Sequence, residues 1–249
     1  MMIEYALLQS LCCAAGLGDS RKLGPDEAFA LLQKGNERFV AGAARHPHAD
    51  RARLALAGRA SQADHAYATV LTCSDSRVPV ELIFDAGVMD LFVIRVAGNV
   101  CNTDEIGSIE FGLAHVRTPV MVLLGHTQCG AVTTVTQQML GKGHPLERNI
   151  PPLVGSIEAA VKQAMAQQPG IQGEAIIPYA IEENIWLGIE RIFLASPAVR
   201  GLVKRGTAKV LGAIYDVGTG VVTWLPERKT QEILLRVESN PDRAEGAMA

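Results

Sequence analysis

The chain has 249 residues, of which 48% are hydrophobic, and a formal net charge of −3 at pH 7. A chain of this length and apolar content can bury a large core without disulfides or structural metal ions. Because the small net charge is acidic and the Lys and Arg residues are scattered, we expect no binding surface for nucleic acid or anionic membranes. A small diffusible substrate fits this composition better.

The cysteines and the amino-terminal segment bear on the compartment. Five cysteines, an odd number in a chain this long, do not indicate a disulfide framework, so we expect free thiols in a reducing compartment. Residues 6–17 are apolar, but no Lys or Arg precedes Arg21, which disfavours a secretory signal. No apolar run reaches the ~20 uninterrupted residues of a membrane span. We therefore predict a cytoplasmic protein, with periplasmic export as the alternative.

The predicted elements begin at Pro25. This proline and the acidic residues after it predict a helix that ends near Gly42, and residues 46–64 are typical of a solvated helix and loop. Short runs of β-branched and apolar residues predict strands at 67–71, 91–96 and 120–124. Helical spacing of apolar residues predicts helices at 106–116, 157–168 and 174–195. Two further strands, at 210–215 and 221–225, flank a hairpin-like turn.

This order of elements indicates an α/β fold. Nearly continuous apolar strands separated by helices are typical of a mostly parallel sheet that is covered by helices on both faces. We predict one α/β domain at residues 25–228. It is preceded by an extension at 1–24, read as a helical arm or the remnant of a targeting segment, and followed by a polar tail at 229–249. In such sheets, ligands bind beyond the carboxyl ends of the strands.

Two short motifs fall at those strand ends. They are Cys73-Ser74-Asp75-Ser76-Arg77 and His126-Thr127-Gln128-Cys129. Two thiolates and one imidazole form a three-ligand set that binds Zn²⁺ and leaves a fourth position open, which is typical of catalytic zinc sites. Each cysteine taken alone could be an ordinary buried thiol. The combination at matching strand ends favours the metal site.

Asp75 and Arg77 form a second constellation beside Cys73. Residues two apart on an extended segment project to the same side, so the carboxylate and the guanidinium can pair through two hydrogen bonds. If the pair were only a surface salt bridge, it would contribute little to stability. Next to a ligand set, the pairing favours a role for Asp75 as an ionised, oriented acceptor for a metal-bound water.

The chain resembles the β-class carbonic anhydrases. The resemblance covers roughly residues 25 to 225 and includes further motifs beside the two already given. These are Gly35-Asn36-Glu37-Arg38-Phe39, Val78-Pro79-x-Glu81, Arg95-Val96-Ala97-Gly98-Asn99, Gly107-Ser108-Ile109-Glu110-Phe111, Gly130-Ala131 and Gly212-Ala213-x-Tyr215-Asp216.

This resemblance implies a zinc lyase, a carbonate dehydratase that hydrates carbon dioxide reversibly to bicarbonate and a proton. It implies one Zn²⁺ per chain bound by Cys73, His126 and Cys129, and attack of zinc-bound hydroxide on CO₂. Asp75 and Arg77 would form the catalytic dyad. It also implies a homodimer or a higher homo-oligomer.

Two further residues are candidates for substrate binding. Gln62 matches a glutamine that the family places before the first strand as a donor to bicarbonate. Gly130 would let the backbone approach the site closely.

Two alternatives stay open at this point. Relatives with the same ligand set hydrolyse CS₂ or carbonyl sulfide, and the motifs do not distinguish these substrates from CO₂. A non-catalytic relative that binds zinc or bicarbonate would also keep the fold. The intact pair of Asp75 and Arg77 disfavours that second alternative, because binding alone does not need an oriented hydroxide.

Overall fold

A computed structural model describes residues 22–245. The predicted amino-terminal arm therefore lies almost entirely outside the described residues, as do Cys12 and Cys13. Among the helices of this described part, none is long and apolar enough to cross a membrane.

A five-stranded sheet organises the described chain. Its order is β2-β1-β3-β4-β5, in which the first four strands are parallel and β5 is antiparallel to β4. The strands are β1 (Ala68–Thr72), β2 (Leu91–Arg95), β3 (Val120–His126), β4 (Lys209–Tyr215) and β5 (Val222–Trp224). β1 and β3 are buried along their whole length because they lie in the middle of the sheet. The mostly parallel α/β sheet predicted from the sequence is confirmed.

Ten α-helices surround the sheet in residues 22–245. They are α1 (Pro25–Val40), α2 (Arg51–Ala57), α3 (Val80–Ile83), α4 (Thr103–Glu110), α5 (Gly130–Met139), α6 (Ile150–Val154), α7 (Ile157–Gln167), α8 (Ile177–Ala195), α9 (Pro197–Lys204) and α10 (Glu227–Glu238). Short 3₁₀ turns at Gln62–Asp64, Ala97–Asn99 and Gly173–Ile176 connect some of these elements. One core cluster packs α8 and α10 on the first face of the sheet, and another packs α1 on the second face.

The first helix shows how local sequence sets an element. Pro25 occupies its first turn, and Glu27 accepts a hydrogen bond of 2.8 Å from the backbone N–H of Gly24. Both features stabilise a helix start, since proline needs no donor there and the acid satisfies a free N–H group. Ala28 and Leu32 are buried against the sheet. The helix predicted from Pro25 to near Gly42 is confirmed.

Two segments differ from the prediction. The helix predicted at 106–116 ends as α4 at Glu110 and continues as a π turn, Phe111–His115, in which the N–H of Val116 donates to the carbonyl of Phe111 at 2.9 Å. The segment at 229–249, taken as a polar tail, instead contains most of α10. This prediction was wrong because the segment is polar on average, although residues at helical spacing form a mostly apolar, buried face. Its buried members are Thr230, Ile233, Leu234 and Val237.

Candidate metal centre

Cys73, His126 and Cys129 converge at the carboxyl edge of the sheet. Cys73 follows β1 directly, His126 is the last residue of β3, and Cys129 precedes α5. β1 and β3 are adjacent and parallel, so their carboxyl ends lie side by side. The ligand atoms of the three side chains all lie within 4.8 Å of one another.

All three ligand side chains are buried. Cys73 is 6% exposed, whereas Cys129 and His126 are fully buried. The neighbouring thiol of Cys129 lowers the pKa of Cys73, although burial opposes this shift. The same neighbour and burial raise the pKa of Cys129. The two sulfurs therefore shift each other's pKa in opposite directions, and a cation between them would stabilise both as thiolates.

The orientation of His126 also fits a metal. Its Nδ1 lies 2.9 Å from the carbonyl oxygen of Thr127, and because a carbonyl only accepts, Nδ1 carries the proton. Nε2 then has a free lone pair, and this buried atom has no hydrogen-bond partner among the described residues. A buried polar atom without a partner is costly unless a ligand satisfies it. This orphaned nitrogen and the two sulfurs are the donor set that Zn²⁺ prefers.

Asp75 and Arg77 pair beside the three ligands. The Nε of Arg77 donates to Oδ1 of Asp75 at 2.9 Å, and Nη2 donates to Oδ2 at 2.7 Å. The backbone N–H of Arg77 donates to Oδ1 as well, at 2.9 Å. Hydrogen bonds from the Arg77 side chain hold the pKa of the Asp75 carboxyl well below its usual range. Asp75 is therefore ionised, and it is not a member of the three-ligand group.

Two further residues, to which the sequence motifs assigned no role, hold this pair in place. Arg95, at the end of β2, donates from Nη2 to the carbonyl of Asp75 at 2.6 Å and from Nε to that of Cys73 at 3.2 Å. Gln128 accepts from Arg77 through its side-chain and backbone oxygens, at 3.2 and 3.1 Å. The position of Gln128 inside the second motif was the available signal, since a side chain between two ligands lies close to their site.

Gln62 and Gly130 are placed differently. Gln62 lies in the 3₁₀ turn before the amino end of β1, at the opposite edge of the sheet from the cluster, and is exposed. A single chain therefore does not bring Gln62 to the cluster. Gly130 begins α5 beside Cys129, but a Cβ at this position would meet no atom within 4 Å. No crowding within the described chain explains this glycine, and the binding roles of both residues stay predictions.

Sequence comparisons identify relatives of this chain. A family model described as carbonic anhydrase matches residues 68–222. The carbonic anhydrase of Mycolicibacterium smegmatis is 30% identical over 198 residues, which cover 80% of this chain and 92% of that protein. Carbonic anhydrase 2 of Mycobacterium tuberculosis is 43% identical over 111 residues, which cover 43% of this chain and 51% of that protein.

Comparison with solved structures agrees with the sequence relatives. The β-carbonic anhydrase CcaA matches with a TM-score of 0.61 and 26% identity, over 80% of this chain and 95% of that chain. The β-carbonic anhydrase CafA of Aspergillus fumigatus matches with a TM-score of 0.60 and 26% identity, over 85% and 99%. The chain therefore belongs to the β class of the carbonic anhydrases, a family of lyases.

Proposed function

We propose that this enzyme hydrates carbon dioxide reversibly to bicarbonate and a proton, with one Zn²⁺ bound by Cys73, His126 and Cys129. The observation that carries the proposal is the buried Nε2 of His126, which faces two cysteine sulfurs and has no partner in the described chain. When bound, Zn²⁺ is a Lewis acid that lowers the pKa of a coordinated water from ~15.7 towards ~7.

The chain itself supplies the orientation. Because the Asp75 carboxylate is ionised, it only accepts hydrogen bonds, and Arg77 fixes both of its oxygens. Its remaining lone pairs can accept a hydrogen bond from a water or hydroxyl group in the site. A molecule that lacks a hydrogen at that point would offer no donor to these lone pairs, so Asp75 selects the protonated ligand atom.

Arg77 acts through Asp75 in this scheme. It neutralises the carboxylate and also bonds Gln128, so it ties the first motif to the second motif. Arg95 fixes the backbone between Cys73 and Asp75 by bonding the carbonyl groups of both residues. These contacts hold the acceptor at a constant place relative to the ligands, as catalysis by positioning requires.

We also propose that the chain works as a homodimer or a higher homo-oligomer. β2 is an edge strand of the sheet, and its residues Leu91 to Ile94 are only half-buried. Phe111 is 49% exposed and stacks on Phe92 of this strand, with ring centroids 6.1 Å apart. An apolar edge strand of this kind is a template for pairing with another chain. Light scattering coupled to size exclusion would test this, and a monomer at all concentrations would contradict it.

Cytoplasmic location is part of the same proposal. It depends on the free cysteines, because Cys73 and Cys129 must stay reduced to bind a metal. Separating cell fractions and locating the protein with an antibody would check the compartment, and recovery from the periplasm would overturn the assignment.

Stopped-flow measurement of CO₂ hydration tests the proposed reaction. Zinc-loaded and metal-stripped protein would be compared at about pH 8.5, as chemistry that depends on metal-activated water requires. We expect fast turnover that depends on zinc. If the protein binds zinc but shows no hydration, CS₂ and carbonyl sulfide become the next substrates to assay, and inactivity on all three would favour the non-catalytic alternative.

A further inference from the structure

One face of α8 packs against the end of β3 that carries His126, next to the metal centre. Ile181, Asn184 and Ile185 are buried on this face, as spacing of three and four residues along a helix predicts. A Cβ on Gly125, the residue before His126, would lie 2.9 Å from Cδ1 of Ile185. α8 therefore packs closely on the end of β3 that carries His126. Asn184 is the polar member of this otherwise apolar contact.

The side chain of Asn184 reaches the turn that touches Cys73. Its Nδ2 donates to the carbonyl of Gly98 at 2.9 Å, and Asn184 is only 5% exposed. The N–H of Gly98 in turn donates to the sulfur of Cys73 at 3.3 Å. One buried amide is thus connected to a metal ligand through a single glycine.

Gly98 adopts a backbone conformation that other residues rarely adopt. Its φ of +76° is in the left-handed region, where residues with a Cβ are strained. A Cβ here would also lie 2.7 Å from Cδ1 of Ile157 and 2.9 Å from Cβ of Ala131. The N–H and the carbonyl of Gly98 belong to the two peptide groups on either side of its Cα. Since glycine is the most flexible residue, the orientation of one peptide group relative to the other depends on the groups that hold them. In the described structure, the amide of Asn184 is such a group.

We propose that Asn184 is a positioning residue for the metal centre: by holding the carbonyl of Gly98, it keeps the Gly98 N–H directed at the sulfur of Cys73. This inference depends on the proposed metal site, but not on the identity of the substrate. An N–H donor to a thiolate spreads its negative charge, and in a buried site the effect is stronger than in water. Outer partners of this kind change metal affinity by ~10–100-fold when they are removed.

The experiment replaces the amide with a side chain of similar shape. Asn184→Leu keeps the branched shape of the side chain and removes the donor, and Asn36→Leu is the matched control. Asn36 is also buried, and it donates to the carbonyl of Gly220 at 2.9 Å and accepts from the N–H of Val222 at 2.9 Å, with no contact to the cluster. Both variants lose a buried amide, so both should be less stable. Only Asn184→Leu should alter the metal centre.

Two readouts on folded protein separate these effects. The first is the thiolate-to-metal charge-transfer band of Co²⁺ added to the metal-stripped protein. The second is the rate at which a chelator removes Zn²⁺. For Asn184→Leu we expect a shifted band and zinc release that is ~10-fold faster or more, whereas Asn36→Leu should match the unmodified protein in both. If Asn184→Leu does not fold, Asn184→Ser removes the amide with a smaller change.

The outcomes are distinct. If the band and the release rate of the Asn184 variants equal those of the unmodified protein, Asn184 is only a packing residue and the inference is wrong. Equal changes in the Asn36 variant would also overturn it, because the effect would then follow general destabilisation. If the unmodified protein itself shows no cobalt–thiolate band, the proposed metal centre fails, and the inference fails with it.

Discussion

The two edges of the sheet hold polar groups in opposite ways. At the amino edge, the buried carboxylate of Asp90 is fully engaged, by His48 and Gly87 at 2.8 Å and by Arg53 at 2.9 Å. At the carboxyl edge, two sulfurs face a His126 nitrogen that has no partner in the described chain. Both clusters are buried and both are rich in ionisable groups. Satisfaction of the hydrogen bonds therefore distinguishes the structural cluster at Asp90 from the proposed metal centre, whereas burial and charge do not.

Asp85 is a second buried carboxylate whose hydrogen bonds are satisfied within the chain. Its carboxylate accepts from Nε of Arg38 at 2.6 Å and from the backbone N–H groups of Arg45 and His46 at 2.9 and 2.8 Å. Every one of these donors belongs to the segment that precedes β1, so Asp85 ties that segment to the loop before β2. Variants at this cluster should cost stability, whereas variants at the carboxyl edge should cost metal and activity.

Removing a ligand should have the largest effect. Cys73→Ser should abolish tight zinc binding and hydration activity, a loss larger than the ~100-fold that follows removal of an outer partner. Cys101→Ser is the matched control, because Cys101 is also buried, at 3% exposure, and lies outside the ligand group. Zinc content per chain and stopped-flow rates measure both. Full zinc binding by the Cys73 variant would break the comparison.

Asp75→Asn should have the second largest effect on activity. The amide keeps the shape but loses the charge and offers donors where the carboxylate only accepts, so activity should fall by ~100-fold while zinc stays bound. Rates and zinc content measured on the same sample would show this separation. Loss of zinc together with activity would instead mean that Asp75 supports the ligands, contrary to its proposed role towards substrate water.

Asp85→Asn should lower the free energy of unfolding by about 3 kcal/mol, since it breaks a buried ion pair and leaves Arg38 without its partner. Burial raises the pKa of the Asp85 carboxyl, but hydrogen bonds from Arg38, Arg45 and His46 outweigh this and lower it. Its stabilising contribution is therefore present above the unfolded pKa of ~3.9 and is lost as the pH falls through the lower folded pKa.

Urea unfolding at pH 7 and at low pH checks this prediction. The difference between Asp85→Asn and the unmodified protein should shrink as the solution is acidified. Zinc bound per folded chain should not change, because the cluster is separate from the metal ligands. A difference that stays constant down to pH 2 would show that the charge of Asp85 is not what stabilises the fold.

The smallest expected effects are on stability, for variants in α10. Leu234 is 6% exposed and its neighbour Leu235 is 72% exposed. Leu234→Ala should cost about 2–3 kcal/mol of unfolding free energy because it leaves a cavity, whereas Leu235→Ala should cost ~0.5 kcal/mol or less. Chemical denaturation of the two variants compares them directly. Equal costs would contradict the packing of α10 on the domain.

The sequence was most informative where pattern and chemistry coincide. Apolar runs predicted the strands to within two residues, and the spacing of the two motifs predicted which side chains meet, because parallel strands end at one edge. α10 was missed since its four buried positions are diluted by charged neighbours. The link from Asn184 to Gly98 joins residues 86 apart in the chain, and no local pattern reports such a contact.

Zinc-edge X-ray absorption on the purified protein tests the proposed metal centre, because it reports which atoms bind the metal. We predict two sulfur ligands at ~2.3 Å and one imidazole nitrogen at ~2.0–2.1 Å, with a light atom as the fourth ligand. A spectrum without sulfur ligands, or with four of them, would contradict the proposed centre of Cys73, His126 and Cys129.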